Sequence, residues 1–262
     1  MKSLILANYH THTYRCGHAS GSDREYVEEA IKAGIKILGF ADHSPMPYKN
    51  GLSSGMRMTL EQTEGYFRSI TDLAREYERD IKIYAGVEAE YFPEYFDSLM
   101  DFLSDYPLDY MICGQHFIDR EHDSYYMGSR FDKEWVLERY VENVCSAIRS
   151  GKFLYIAHPD LPQFTGDEEI YNKHMENLCR VALEHDVPLE INVLGYTKNP
   201  ERPPYPTERF FKIASRVGNR IVMGIDAHHP KAFHDIRSQE ILFDFAHSLN
   251  IRIDEPQNAI KQ

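Results

Sequence analysis

The sequence has few cysteines and no long apolar run. Its 262 residues include four cysteines. Because these form no C-x-x-C pair and no regular spacing, they indicate neither a zinc knuckle nor a disulfide framework. No stretch is long enough to cross a membrane, and the apolar run near the N-terminus is too short for the core of a secretory signal. We therefore expect a cytoplasmic protein with reduced thiols and no membrane association.

Basic residues are also scarce relative to acidic ones. Lys and Arg number 29 against 41 Asp and Glu, which gives a net charge of −12 and a poor overall field for binding nucleic acid. Nucleic acid is therefore not expected as a partner, whereas a local cationic pocket for a small anion is compatible with this charge. The sequence gives no indication of the oligomeric state.

Histidine and tyrosine, in contrast, are abundant, with 13 and 18 residues. Imidazole is a common metal ligand and the usual acid or base near neutral pH, so the positions of the histidines carry functional information. A chain of this length can bury a full hydrophobic core without a disulfide or a metal. Any metal bound here would therefore serve chemistry first.

Short apolar runs alternate with segments of helical periodicity along the chain. This rhythm predicts parallel strands joined by crossover helices. No Gly/Ser linker or charge block interrupts it, so we predict one α/β domain over residues 1–262. The seven strand–helix units predicted in this way fit a closed (β/α)7 barrel related to the TIM barrel, with an open doubly wound sheet as the alternative. The predicted strands are 4–10, 35–42, 81–88, 109–116, 153–158, 188–193 and 220–226, and the predicted helices are 25–33, 60–79, 133–149, 168–185 and 208–217.

Capping signals support several of these helices. Ser22 with Glu25, and Thr59 with Gln62, fit the capping box, in which two side chains satisfy free N–H groups at the start of a helix. Glycines at positions 34, 151 and 218 stand where helices should end.

Six of the seven predicted strands end in a residue type that binds metals. In a parallel barrel the carboxyl ends of all strands open on one face, so these residues would converge there. An open sheet would spread them along a line, and the pattern therefore favours the barrel. Imidazole and carboxylate ligands together favour zinc, manganese or iron over calcium and magnesium. The strand-end residues are His10-Thr11-His12, Asp42-His43, Glu88, His116, His158 and Asp226-Ala227-His228.

Taken singly, most of these residues have an ordinary structural alternative. His116 or His158 could be a hydrogen-bonded core histidine, and Asp42 could cap the segment that follows its strand. Glu88 is harder to explain in this way, because an acid at the end of an apolar strand buries a charge unless it is paired or coordinated. The joint pattern favours the metal site. Cys16, although it lies between two histidines, is assigned no ligand role.

The whole set of motifs resembles the PHP family, named for polymerase and histidinol phosphatases, and most closely its stand-alone histidinol-phosphatase branch. The resemblance implies a distorted (β/α)7 barrel with a site for three metal ions at the carboxyl ends of the strands. It rests on Tyr9-His10-Thr11-His12-Thr13, Cys16-Gly17-His18-Ala19, Gly39-Phe40-Ala41-Asp42-His43-Ser44-Pro45-Met46-Pro47, Gly86-Val87-Glu88-Ala89-Glu90, Gly114-Gln115-His116, Ala157-His158-Pro159-Asp160-Leu161 and Gly224-Ile225-Asp226-Ala227-His228.

The resemblance also implies how the ligands are divided. By motif, the first metal takes His10, His12, Glu88 and Asp226. Glu88 bridges to a second metal held by His116 and His158. The third metal takes His18, His43 and His228.

The implied reaction is the hydrolysis of a small phosphorylated metabolite, with L-histidinol phosphate of histidine biosynthesis as the leading substrate and three divalent ions (Zn, Mn or Fe) as cofactors. Asp42 is the candidate proton donor, with orientation of a ligand histidine as its alternative role. Lys198, Arg202 and Arg57 are the candidate phosphate-binding residues. The segment Leu161-Pro162-Gln163-Phe164 departs from the family, because some members carry a basic residue there.

Three other functions remain open at this point. The chain could be another phosphoesterase of the same family with a different substrate, or it could be a non-catalytic metal-binding PHP domain. An amidohydrolase-like enzyme would share the H-x-H motif after the first strand, but it would normally need a lysine ligand at a strand end, and none is apparent.

Overall fold

The computed structural model, which describes residues 2–48, 54–121, 124–201 and 204–254, contains a ring of parallel strands surrounded by helices. The strands are β1 (Ala7–Asn8), β2 (Ile37–His43), β3 (Lys82–Ala89), β4 (Tyr110–Cys113), β5 (Arg130–Phe131), β6 (Gln163–Phe164), β7 (Leu189–Asn192) and β8 (Ile221–Gly224). Four of them form one parallel sheet in the order β1-β2-β3-β4, β7 pairs with β8, and β5 pairs with β6 as a separate short ladder.

Two single-residue connections close the ring. Ile156 forms parallel bridges to Cys113 of β4 and to Leu189 of β7, so it stands for the fifth strand of the barrel. At the other junction Thr11 bridges to Ala227, just beyond the ends of β1 and β8. The barrel predicted from the sequence is confirmed, and the open sheet is not what the chain forms.

The predicted fifth strand, 153–158, is much less regular than expected. Its backbone follows the barrel as far as Ala157, whose N–H donates to the carbonyl of Cys113. His158 then adopts a φ of +31°, which ends the extended conformation, and its N–H donates to the carboxylate of Glu190 instead of to a neighbouring strand. The interruption therefore coincides with a predicted metal ligand.

Eight α-helices cover the ring in the part of the chain that the structure describes. The five predicted helices are confirmed with small shifts at their ends, whereas α3, α6 and α8 were not predicted. None of the described helices is both long and apolar enough to cross a membrane. The helices are α1 (Asp23–Ala33), α2 (Thr63–Glu76), α3 (Phe96–Leu103), α4 (Glu134–Ser150), α5 (Glu168–Glu184), α6 (Val193–Lys198), α7 (Glu208–Val217) and α8 (Ile236–Ser248), with 3₁₀ turns at Tyr14–Cys16 and Pro230–His234.

The predicted helix caps are confirmed in part. Ser22 and Glu25 form a complete capping box at the start of α1, and Gly34 ends that helix with a φ of +87°. Thr59 and Gln62 do exchange hydrogen bonds, but they lie in a turn ahead of α2, which begins at Thr63.

A layer of tyrosines, namely Tyr9, Tyr110 and Tyr155, fills the barrel interior towards the amino ends of the strands. The Tyr110 hydroxyl donates to the carbonyls of Tyr9 and Phe40, at 2.8 and 3.0 Å. Side chains alternate along a strand, so Gly86 lies on the same face of β3 as Glu88, one step nearer the amino end. A Cβ at Gly86 would overlap the Tyr110 ring. The glycine therefore makes room for the tyrosine layer.

Candidate metal centre

The nine predicted metal ligands come together at the carboxyl ends of the barrel strands. We call these nine residues the ligand cluster. Eight of them line one cavity of about 280 Å³, and the ninth, His10, is fully buried against Glu88 and Asp226. The eight are His12, His18, His43, Glu88, His116, His158, Asp226 and His228.

The four residues assigned to the first metal have the spacing of a coordination shell. His10 Nε2 lies 3.5 Å from both Glu88 Oε1 and Asp226 Oδ1, and His12 Nε2 lies 3.1 Å from Asp226 Oδ1 and 3.6 Å from Glu88 Oε2. Ligand atoms of a tetrahedral site with bonds of about 2.1 Å are about 3.4 Å apart. His10 Nε2, Glu88 Oε2 and Asp226 Oδ1 are buried without a hydrogen-bond partner in the described structure. These residues therefore fit a metal ion.

Glu88 lies at the centre of the cluster. Its Oε1 is 2.9 Å from His158 Nε2 and 3.8 Å from His116 Nε2, and its Oε2 is 2.9 Å from His43 Nδ1. Burial alone would raise the pKa of this carboxyl, but the histidines around it, His43 first among them, hold the pKa well below its usual range. A Cβ at Gly114 would overlap the carboxylate. The contacts suit a carboxylate shared between metal positions.

The remaining histidines gather at the more open side of the cavity. The ring of His228 stacks on that of His12 with centroids 4.0 Å apart, and it lies 4.9 Å from the ring of His18. Potential ligand atoms of His12, His43 and His228 all lie within 4.8 Å of one another. Cys16 Sγ also lies within 4.8 Å of ligand atoms of His18 and His228, although its thiol donates to the Thr13 carbonyl. The structure thus brings a thiol, which the sequence left without a role, next to the proposed third position.

Three of the ligand histidines have a second carboxylate at their Nδ1 atom. His10 Nδ1 lies 2.8 Å from Glu190 Oε1, and the corresponding distances are 3.4 Å from His12 to Asp42 and 3.6 Å from His116 to Glu90. An ionised carboxylate only accepts, so His10 donates from Nδ1 and its Nε2 is the ring nitrogen that faces the cluster. The His10 contact is a hydrogen bond of the kind that metal-binding histidines typically make, whereas the carboxylates beside His12 and His116 lie farther away.

Comparison with known proteins identifies the family. Residues 8–193 match the model of the PHP domain. The chain belongs to the PHP domain family.

Relatives of this PHP domain include proteins described as phosphatases. It is 30% identical over 235 residues to a probable histidinol-phosphatase of Deinococcus radiodurans, which covers 86% of this chain and 87% of that protein. It is 27% identical over 248 residues to the histidinol-phosphatase of Bacillus subtilis, covering 84% and 92%. The crystal structure of histidinol phosphate phosphatase from Lactococcus lactis with zinc, L-histidinol and phosphate superposes with a TM-score of 0.71, 20% identity and 95% coverage of both chains. At this identity the superposition shows the fold alone.

Glu190 is the buried residue of this PHP domain that the sequence analysis missed. It lies on β7 in the run Leu189-Glu190-Ile191-Asn192 and is fully buried. Like Glu88, Glu190 is an acid within an apolar strand, a pattern that indicates a paired or coordinated charge. The sequence therefore carries a signal for Glu190, but the signal lies inside the sixth predicted strand and not at its end.

The predicted proton donor, Asp42, is fully buried and already engaged. Its Oδ2 accepts from the Thr13 hydroxyl, and its Oδ1 accepts from the His43 N–H at 2.9 Å. Asp42 is not among the described residues that line the cavity. Its position beside His12 Nδ1 corresponds to the alternative role, the orientation of a ligand.

The three predicted phosphate-binding cations have different positions. Lys198, the last residue of α6, lines the cavity, is exposed and forms no ion pair within the described ranges. The buried Arg57 instead pairs with Glu90 at 2.7 Å and Glu121 at 2.9 Å. The neighbouring Met56, not Arg57, contributes to the described cavity wall. Arg202 lies outside the described residues.

The rest of the cavity wall is mainly apolar and aromatic. Tyr126, Leu161, Leu194 and Tyr205 line it together with Met56. Leu161 is the first residue of the segment that departs from the family. The two tyrosines come from loops, and loop residues carry no periodic pattern by which the sequence could have identified them.

Proposed function

We propose that this PHP domain is a metal-dependent phosphomonoesterase that hydrolyses L-histidinol phosphate to L-histidinol and phosphate. The observation that carries the proposal is the ligand cluster itself. Several of its buried nitrogen and oxygen atoms face one another at the end of a barrel, have no hydrogen-bond partner among the described residues and border a cavity of metabolite size. The substrate is taken from the relatives, whose descriptions name histidinol phosphatases. The proposal places the enzyme in histidine biosynthesis.

The proposed cofactors are three divalent ions, with zinc ahead of manganese and iron because the Lactococcus lactis protein was crystallised with zinc. The ligand sets are those implied by the family motifs. Bound ions would act as Lewis acids on the phosphoryl group and lower the pKa of water towards neutrality. The chain supplies the ordered histidines and carboxylates, and it excludes most water from His10, His12 and Glu88, which are almost completely buried.

Lys198 is the residue we propose to contact the phosphate directly. It lines the cavity and has no carboxylate partner in the described structure, so its ammonium group is available to an anion. Arg57 is held between two carboxylates, so we propose that it acts through Glu90, which accepts hydrogen bonds from the N–H groups of His116 and Phe117. For Arg202 a phosphate contact stays a prediction.

Asp42 is proposed as a positioning residue for His12, in preference to a proton donor. Both of its oxygens already accept hydrogen bonds from the protein, and it has no described place on the cavity wall. We further propose a single domain over residues 1–262, a cytoplasmic location, for which the four free and buried cysteines are support, and no nucleic-acid partner.

The test of the proposed function is phosphate release from L-histidinol phosphate by purified protein of measured metal content. We expect turnover of about 1 s⁻¹ or more, the normal range for enzymes, and no turnover by a His10→Ala/Glu88→Ala double variant. Sugar phosphates and a dinucleotide serve as competing substrates. Faster turnover of one of these would show that L-histidinol phosphate is not the preferred substrate. Failure to bind metal under any loading condition would refute the proposal.

A further inference from the structure

Two neighbouring side chains of β7, Glu190 and Asn192, are buried among the ligands without belonging to the ligand cluster. Their exposed fractions are 0% and 1%. Glu190 uses both oxygens, since Oε1 accepts from His10 Nδ1 at 2.8 Å and Oε2 accepts from the His158 N–H at 2.9 Å. A Cβ at Gly224 would overlap this carboxylate, so the adjacent strand β8 leaves space for it by carrying a glycine.

Asn192 continues the same hydrogen-bond network in two directions. Its Nδ2 donates to Glu190 Oε2 at 2.9 Å and to Asp226 Oδ2 at 3.1 Å. Its Oδ1 accepts from the Gly195 N–H at 3.1 Å and thereby caps α6. One amide thus contacts both a metal ligand and the helix that ends at Lys198.

Two of the ligands held by this network have unusual backbone conformations. His158 has a φ of +31° and Asp226 a φ of +55°, values that residues with a side chain seldom adopt. Such conformations persist only where surrounding contacts enforce them, and they concentrate at functional sites. The contact to Glu190 is made by the His158 N–H itself, and the contact to Asn192 is made by the Asp226 carboxylate. The network therefore contacts both ligands whose backbone has a positive φ.

We propose that Glu190 and Asn192 are positioning residues that hold His10, His158 and Asp226 in ligand geometry and connect them to helix α6. The proposal rests on the proposed function, because it assumes that the ligand cluster binds metal. It adds a physical connection between the metal centre and Lys198 in the cavity wall.

The first test is the Glu190→Gln variant. Glutamine keeps the volume but replaces one acceptor oxygen by an NH₂ group, which must face either the His10 Nδ1–H or the His158 and Asn192 donors. We expect a 10- to 100-fold loss of zinc affinity in chelator competition and shifted visible bands of the cobalt-substituted protein. Asp109→Asn is the matched control, because Asp109 Oδ2 accepts only the Ala85 N–H among its described contacts, at the opposite end of the barrel.

The second test separates the two arms of Asn192. Asn192→Ala removes the contact to Asp226 and the cap of α6, whereas Asn192→Ser supplies a new capping oxygen. We expect zinc affinity to fall in both variants. The KM for L-histidinol phosphate, measured at saturating zinc, should rise about tenfold in the alanine variant and return towards the wild-type value in the serine variant.

The outcomes distinguish this proposal from the proposed function. If wild-type protein binds no zinc, the proposed function fails. If wild-type protein binds zinc and Glu190→Gln binds it equally well with an unchanged cobalt spectrum, the positioning role is overturned. Should Glu190→Gln fail to fold, the Asn192→Ala variant decides, since an unchanged zinc affinity in that variant contradicts the proposal as well.

Discussion

The two ends of the barrel interior hold side chains of opposite chemistry, although the same strands supply both. Towards the amino ends, Tyr110 donates to two backbone carbonyls and packs against Tyr9 with ring centroids 5.4 Å apart. Towards the carboxyl ends, the ligand cluster contains buried nitrogen and oxygen atoms without hydrogen-bond partners in the described structure. The hydroxyl of Tyr110 is fully satisfied by backbone carbonyls, whereas the ligand cluster contains polar atoms that a metal ion would satisfy. The difference indicates that stability and chemistry are divided between the two ends.

Metal removal is the strongest way to test this division. A chelator should reduce phosphate release by at least about 10³-fold, because bound metals contribute several kcal/mol to transition-state stabilisation. Far-UV circular dichroism should stay unchanged, since the packed helices and the hydrogen bonds of Tyr110 do not involve the ligands. Restoring zinc is the control. Unfolding of the metal-free protein would show that the two ends are not independent.

A substitution in the tyrosine layer should have the reverse effect. In Gly86→Ala the new Cβ would overlap the Tyr110 ring, and we expect a loss of about 1–3 kcal/mol in the free energy of unfolding. Zinc affinity should change less than about twofold, because the Tyr110 hydroxyl donates to the carbonyls of Tyr9 and Phe40 and to no ligand side chain. Urea unfolding of the metal-free protein measures the first quantity and chelator competition the second.

Gly65→Ala is the matched control for that experiment. Gly65 lies within α2 and a Cβ there meets no atom within 4 Å, so the substitution should stabilise the protein by up to about 1 kcal/mol. Equal destabilisation by both substitutions would contradict the role assigned to Gly86.

The smallest expected effect concerns Asp42 and sharpens the description of the ligand cluster. Asp42→Asn should lower zinc affinity about tenfold, because the His12 Nδ1 contact of 3.4 Å loses its negative partner. Chelator competition measures the affinity, and turnover is measured at saturating zinc. Normal zinc binding combined with a large loss of turnover would instead favour the proton-donor role that the sequence also permits.

The barrel and the convergence of eight of the nine candidate ligands could be predicted from the sequence because both depend on local signals. Those eight lie at the end of an apolar run, and the order of runs determines which ends meet, whereas His18 was implied by the family resemblance alone. Residues whose role depends on distant partners could not be predicted in this way. In the sequence Arg57 looks like a free cation, because its partners Glu90 and Glu121 lie 33 and 64 positions further along the chain.

Irregular backbone set a second limit on prediction. The fifth strand ends after Ala157, because the N–H of His158 donates to Glu190 and not to a neighbouring strand. Helix α6 begins at an asparagine cap directly after β7 and is only six residues long, so no helical period could develop. The sequence pattern reports regular structure, so neither the conformation of His158 nor the short helix α6 could be predicted from it.

The closure of the ring between Thr11 and Ala227 has a consequence for biosynthesis. His10 and His12 leave the ribosome early, but their partners Asp226 and His228 follow only near the end of the described chain. A nascent chain can therefore offer metal ions no more than a partial binding set until residue 228 has been translated. The full set of ligands exists only once the last strand has been made and the barrel can close.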